Sequence, residues 1–375
     1  MMKKLNLVIT ILCLLGSSWV SAQRPEIDID VLIEELGIYE SRVASRDMPG
    51  WERPKKIIYQ RWVPDSGFGS ADWFKEVADG VEIEFLQGSD NLERKLANTD
   101  VYFGGCNTAI MSSKNIDYIH ILSAGVDACA RIPGIQSAGL IVTNSQKAHS
   151  ETIAEHAIAL MLALTRNLHY YHSMQMKSEW SRGGPSDMPE SISVKDKTLL
   201  VLGLGGIGSQ AASRGYNLGM RVIGTRNSSR EGPDYVEYVG LSDETNELAK
   251  QADVVINALP LTSTTQGIAG TEFFNNLKDG AYYITVGRGP TTDTDALVKA
   301  LKSGKLNGAG LDVTDPEPLP SDHELWTMPK VIISQHTAGT SDLTSRNVLM
   351  IAKENLRRYI RGEKLLNMVD LARGY

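Results

Sequence analysis

Residues 198–202 form an apolar run that leads directly into Gly203-Leu204-Gly205-Gly206-Ile207-Gly208, followed by a helix-like stretch ending near Leu218. No other feature restricts the possible folds as much. A strand, a GxGxxG turn and a helix, in that order, open a doubly wound parallel sheet that binds a dinucleotide. Gly203 permits the tight turn, Gly205 lets the backbone approach a pyrophosphate, and Gly208 lets the helix lie close to the strand. Gly206 and Ile207 complete the turn that would face the phosphates. The hexapeptide alone is a weak signal, and the further strand-like run at 221–224 strengthens it.

The same alternation extends both ways. Upstream, short apolar runs at 57–59, 81–85, 101–103, 118–122 and 140–142 are separated by helix-like stretches. Downstream they recur at 253–258, 281–286, 308–311 and 331–334. This pattern predicts an α/β fold of two doubly wound parallel-sheet lobes, the second a Rossmann NAD(P)-binding domain inserted into the substrate-binding, catalytic domain. Residues 55–150 plus 340–375 are assigned to the substrate domain and 151–339 to the NAD(P) domain. A long helix over about 151–166, with Ser150 as its expected N-cap, passes between them. A last helix, about 341–360, has no further strand to serve and is expected to pack back on the first lobe. A length of 375 residues suits two domains. With a net charge of −7 and no basic block, nucleic acid is disfavoured as a partner.

The N-terminus has the order of a secretory signal peptide: Lys3 and Lys4, an apolar run from Leu5 to Leu15, then Val20-Ser21-Ala22. The run is too short for the ~20 residues of a membrane-spanning helix. Export through a Sec-type signal is therefore expected, to the periplasm or beyond, with cleavage after Ala22 and no membrane association afterwards. If that reading fails, the chain is cytoplasmic. Residues 23–54 are charged and irregular, with one helical candidate near 30–39, and are expected to pack outside the first lobe. The two cysteines beyond the signal, Cys106 and Cys129, are expected to be free thiols packed as small apolar side chains, although an oxidising compartment would let them pair.

Cofactor choice turns on the end of the second strand of the NAD(P) lobe, where an NAD site places an Asp or Glu about 20 residues past the glycines. No carboxylate occurs between Ser209 and Arg230. Arg226, Asn227, Ser228, Ser229 and Arg230 stand there instead. A guanidinium pair with hydroxyls suits the additional 2′-phosphate of NADP(H), so NADP(H) is expected to be preferred, with NAD(H) possible.

Three residues fall after later strand-like runs, at the carboxyl ends where open α/β sheets bind ligands: Arg288, Glu317 and His336. Together they supply what reduction of a 2-oxo acid needs: a fixed cation, a proton donor and an acid to hold the donor's imidazole. Singly, each would pass for a surface charge or a structural histidine. No metal site is expected.

Here the sequence resembles the D-isomer-specific 2-hydroxyacid dehydrogenases, from about Lys55 to about Tyr359. The likeness rests on the glycine motif and on Leu259-Pro260-Leu261-Thr262 with Thr265, Val286-Gly287-Arg288-Gly289, Gly308-Ala309-Gly310-Leu311-Asp312-Val313, Glu317-Pro318-Leu319-Pro320, Leu325-Trp326 and His336-Thr337-Ala338-Gly339. Ser123-Ala124-Gly125-Val126-Asp127 and Ile153-Ala154-Glu155-His156-Ala157 look like the family's substrate loop and domain-crossing helix. The resemblance implies that Arg288 anchors the substrate, His336 donates and accepts the proton, and Glu317 orients His336 and favours its protonated form. It further implies that backbone amides near Ala124 and Gly125 hold the carboxylate and that Asp312 meets the nicotinamide carboxamide. Leu259, Pro260, Thr265, Val286, Gly287 and Gly339 would line the cofactor. Glyoxylate or hydroxypyruvate is the expected substrate type, and a homodimer the implied assembly.

Two positions depart from the family pattern. Thr285 stands where Asn is frequent, and Gln335 precedes His336 where Pro is usual. The related formate dehydrogenases lack the carboxylate that Glu317 supplies, so that branch is disfavoured. The rival class is an exported nucleotide-binding interaction protein of the same fold with little turnover. Against it stands the complete set of Arg288, Glu317 and His336, which a binding module does not need.

Overall fold

The computed structural model describes residues 27–184, 186, 188–227 and 229–371. The expected signal peptide, the first residues of the extension and Ser228 lie outside the described residues.

Two parallel sheets organise the chain. The first joins β1 (Lys56–Gln60), β2 (Glu82–Leu86), β3 (Val101–Gly104), β4 (Tyr118–Ile121) and β5 (Ile141–Asn144) in the order β2-β1-β3-β4-β5. The second joins β6 (Thr198–Leu202), β7 (Arg221–Thr225), β8 (Tyr238–Gly240), β9 (Val254–Asn257), β10 (Ala281–Thr285), β11 (Leu306–Leu311) and β12 (Val331–Ile333) in the order β12-β11-β10-β9-β6-β7-β8. All of the pairings between these strands are parallel. Helices cover both faces, which is why the central strands read as unbroken apolar runs: every residue of β6 is buried. The strand order reverses between β6 and β9, so the connections leaving their paired carboxyl ends part to opposite sides of the sheet and open the crevice in which such sheets bind ligands. β8 is absent from the sequence expectation, because three residues of mixed polarity give no period to read.

The crossing helix, Ser150–Thr165, buries Ala157, Met161 and Leu164 in the same cluster as Val201, Ala211 and Ile284 of the second lobe. Ser150 is not its N-cap, as expected, but its first helical residue; His149 occupies the cap and makes no side-chain capping bond. The serine hydroxyl lies instead only 2.5 Å from where a Cβ on Gly206 would stand. The terminal helix, Asp342–Arg361, returns to the first lobe, where Tyr359 stacks on Tyr118 with ring centroids 4.4 Å apart.

The extension is tied to that helix's exit. Its own helix, Ile29–Leu36, is capped by the Asp28 carboxylate and closed by Gly37 at φ 57°. Beyond it the chain bonds back through Ser41 N to Leu365 O (2.7 Å) and Ser45 N to Glu363 O (2.9 Å), while Glu40 pairs with Arg358.

The cysteine expectation is corrected. Cys106 and Cys129 form a disulfide, joining the segment after β3 to the short helix Asp127–Ala130 that follows the substrate loop. A separation of 23 residues carries no distance information, and only the parallel neighbours β3 and β4 bring the two segments together.

Candidate active site

The glycine turn follows β6 at the strand-order reversal. Gly203 takes φ 87°, left-handed backbone that suits glycine, and a Cβ there would stand 3.0 Å from Leu259 Cδ2. At Gly208 a Cβ would fall 2.0 Å from the Gly203 carbonyl oxygen, so the helix can start where it does only because that atom is missing. In front of Gly205 nothing lies within 4 Å of a Cβ position, which leaves the turn's face open to the interlobe cleft. Backbone amides at a helix N-terminus with free space before them suit a pyrophosphate, so the residues present fit a dinucleotide.

The far walls come from the next two strands. Thr265 Oγ1 donates to Pro260 O (2.6 Å) and closes the loop after β9. Gly287 packs so closely that a Cβ would meet Leu259 O at 2.4 Å, which fixes the loop carrying Val286 and Arg288 against the cofactor wall. Leu259, Pro260, Gly287 and Arg288, with the glycine turn and the substrate loop, line a cleft of about 280 Å³, near the small end of ligand-site volumes; Glu317 and His336 lie outside that lining.

Arg288 crosses the cleft. Its Nε donates to Asp127 Oδ1 (2.9 Å), its Nη1 to Gly287 O (2.9 Å), and its Nη2 lies 1.6 Å from where Gly125 would carry a Cβ. Burial works against the charged form of Asp127, but the charge and hydrogen bond of Arg288 outweigh it and hold the carboxyl below its usual range. The sequence shows Asp127 only as part of the substrate loop; its partnership with Arg288 spans 161 positions and has no local signature. The carbonyls of Ala124 and Gly125 are taken by Asn144 Nδ2 (2.7 Å) and Ser123 Oγ (3.0 Å). Their amides donate to no protein group among the described residues.

His336 Nδ1 and Glu317 Oε1 lie 2.6 Å apart, on loops leaving β12 and β11. That contact leaves Nε2 of the imidazole without a protein partner among the described residues. The loop takes positive φ at both Gln335 (54°) and His336 (57°). Proline is confined near −65°, so the Gln335 departure is required by the path this loop follows. Asp312, 3% exposed, holds the loop: its carboxylate accepts from Ser334 Oγ (2.8 Å), Thr337 N (2.9 Å) and Ala338 N (3.1 Å). Its visible work is therefore anchoring the His336 loop. His156 Nε2 stands 2.7 Å from Ser334 Oγ and ties the crossing helix to the same anchor. A Cβ on Gly339 would sit 3.2 Å from His149, a cleft residue whose pKa is lowered by burial, against a backbone hydrogen bond at Ser145 and with Arg61 and Arg288 adding to the effect.

The proposed 2′-phosphate cluster is only partly free. Arg226 Nε donates to Leu204 O (3.0 Å), which keeps its guanidinium beside the glycine turn. Arg230, in contrast, is engaged by Glu244 (2.7 Å) and by Tyr238 Oη (2.9 Å). Glu244 is a carboxylate that the spacing rule misses, because β8 and not β7 delivers it. Asn227 is exposed. Among the described residues no three His, Cys, Asp or Glu converge as a metal site, and no helix is long and apolar enough to cross a membrane.

Fold and glycine turn thus define a two-lobed, nucleotide-dependent oxidoreductase. Residues 158–338 match the family model described as D-isomer specific 2-hydroxyacid dehydrogenase, NAD binding domain. Human glyoxylate reductase/hydroxypyruvate reductase is 31% identical over 68% of this chain and 78% of its own length. An uncharacterized protein of Corynebacterium melassecola is 33% identical over 70% of this chain and 84% of its own. Among solved structures, a D-isomer specific 2-hydroxyacid dehydrogenase from Xanthobacter autotrophicus Py2, in complex with NADPH and MES, is 26% identical with TM-score 0.71, covering 86% of this chain and all of that one. The chain belongs to the D-isomer-specific 2-hydroxyacid dehydrogenase family, whose members are NAD(P)-dependent oxidoreductases.

Proposed function

We propose that the protein reduces a small 2-oxo acid of the glyoxylate or hydroxypyruvate type to the D-2-hydroxy acid, preferring NADP(H) and accepting NAD(H). The observation that carries this reading is the His336–Glu317 contact of 2.6 Å, which leaves Nε2 available to a substrate oxygen. A bound nicotinamide cofactor supplies the hydride. The Arg288 guanidinium and the unpaired amides of Ala124 and Gly125 bind the substrate carboxylate. His336 delivers the proton to the carbonyl oxygen, and Glu317 steadies the imidazolium before transfer. The test is a turnover screen of glyoxylate, hydroxypyruvate, pyruvate and larger 2-oxo acids with NADPH and NADH; activity confined to bulky acids, or none with either cofactor, contradicts the proposal.

Export and a homodimeric state belong to the same proposal. The Cys106–Cys129 disulfide supports export, since such bonds persist in oxidising compartments. Intact-mass analysis of protein from its native source is expected to show a chain beginning at Gln23; a mature chain retaining Met1 contradicts export. Light scattering measures the assembly, and a monomer at working concentration contradicts the dimer.

A further inference from the structure

Lys147 lines the cleft but takes no part in the proposed reaction. It holds φ 70°, a left-handed conformation that is unfavourable for a residue bearing a Cβ, three positions before the crossing helix begins. Its side chain runs across the glycine turn: Cγ lies 3.5 Å from where Gly206 would carry a Cβ, and the residue lines the cleft together with Gly205, Gly206 and Ile207. The amine ends on the carbonyl of Gly37, at the C-terminal end of helix Ile29–Leu36, where partial negative charge accumulates. No carboxylate among the described residues pairs with it, and burial alone lowers its pKa. A half-buried cation without a counter-charge, laid over a turn built to receive phosphate, is a site awaiting an anion.

We infer that Lys147 binds the cofactor pyrophosphate from the opposite lobe, leaving Gly37 O when the dinucleotide enters. The inference rests on the proposed function and adds a residue to it. The left-handed backbone directs the stem onto Gly206, and rotation about the last side-chain bonds carries the amine from the extension to the space before Gly205. Two lobes then share one phosphate group, so cofactor binding draws them together. Helix Ile29–Leu36 acquires a purpose as well: its carbonyl end holds the amine over the cleft in the absence of cofactor.

The test is calorimetric titration of the full chain and its variants with NADPH and with NADH, alongside thermal unfolding as a folding control. Lys147→Met is expected to weaken both cofactors by the same factor, about 10- to 100-fold, because the pyrophosphate is common to both. Lys147→Arg should bind within a few-fold of wild type. Lys147→Gly, which relaxes the backbone while removing the cation, should be as weak as Lys147→Met. Three results overturn the inference: Lys147→Met binding like wild type; Lys147→Gly binding like wild type, which makes backbone strain the cause; or loss of NADPH affinity alone, which places the amine on the 2′-phosphate. Wild-type protein that binds neither cofactor overturns the proposed function itself and this inference with it.

Discussion

Arg226 and Arg230 stand four positions apart, and the structure gives them different work. Arg230 is engaged by Glu244, whereas Arg226 spends one nitrogen on Leu204 O and keeps the rest of its fork beside the glycine turn. Any 2′-phosphate selectivity therefore falls on Arg226. Arg226→Asp should shift the ratio of NADPH to NADH affinity toward NADH by roughly one to two orders of magnitude, since charge-assisted bonds are worth ~1.5–3 kcal/mol. Titrating both cofactors against wild type and variant checks this; an unchanged ratio means that Arg226 faces solvent. At this scale the sequence exposes residue types and hides partners. Arg288, Glu317 and His336 could be picked out as candidates because each follows a strand-like run. Asp127, Glu244 and Lys147 could not, because their significance comes from groups 161, 14 and 110 positions away.

The glycine turn was legible as an element because an apolar strand, fixed glycine spacing and a helical stretch all point the same way. Its tightest demand is at Gly208, where a Cβ would stand 2.0 Å from the Gly203 carbonyl oxygen and 3.0 Å from Val201 Cγ1. Backbone cannot yield as a flexible side chain can. Gly208→Ala is expected to destabilise the second lobe by about 1–3 kcal/mol and to abolish measurable cofactor binding; a variant that melts and binds like wild type would show that the helix can back away. Less of the crossing helix could be read. Its apolar face was evident, but its start was not, because N-cap preference favours Ser150 over His149 while packing turns that hydroxyl toward Gly206. The short β8 was missed for want of length, and with it the route by which a carboxylate reaches the nucleotide end of the sheet.

Across the whole molecule, two lobes, the return of the terminal helix and an external extension all followed from the order of apolar runs. The disulfide did not, because its partners meet only once the first sheet has formed. That sheet contains a charge-sensitive point. His120 on β4 is fully buried between Thr143 Oγ1 (2.7 Å) and Ser145 Oγ (3.2 Å), and desolvation pushes its pKa down to about 3. The unfolded chain takes up this proton near ~6.5 and the folded chain only near 3. Stability from this group is therefore complete above ~6.5 and is lost progressively as pH falls toward 3. Melting temperature should drop between pH 7 and 4, with a shallower slope in His120→Asn; equal slopes would assign the acid sensitivity to other groups.

The proposed nicotinamide-dependent reduction depends on His336 as its proton donor. The most direct measurement is the steady-state rate of NADPH oxidation with glyoxylate or hydroxypyruvate as a function of pH, for wild type and His336→Ala, with NADPH affinity determined in parallel. Reduction consumes a proton held by the imidazole, so the wild-type rate should fall as pH rises. His336→Ala should lose about 100- to 10,000-fold in rate while still binding NADPH, because the glycine turn is untouched. A wild-type rate that climbs steadily into alkaline pH, or a His336→Ala variant that reduces the acid as fast as wild type, would contradict the account.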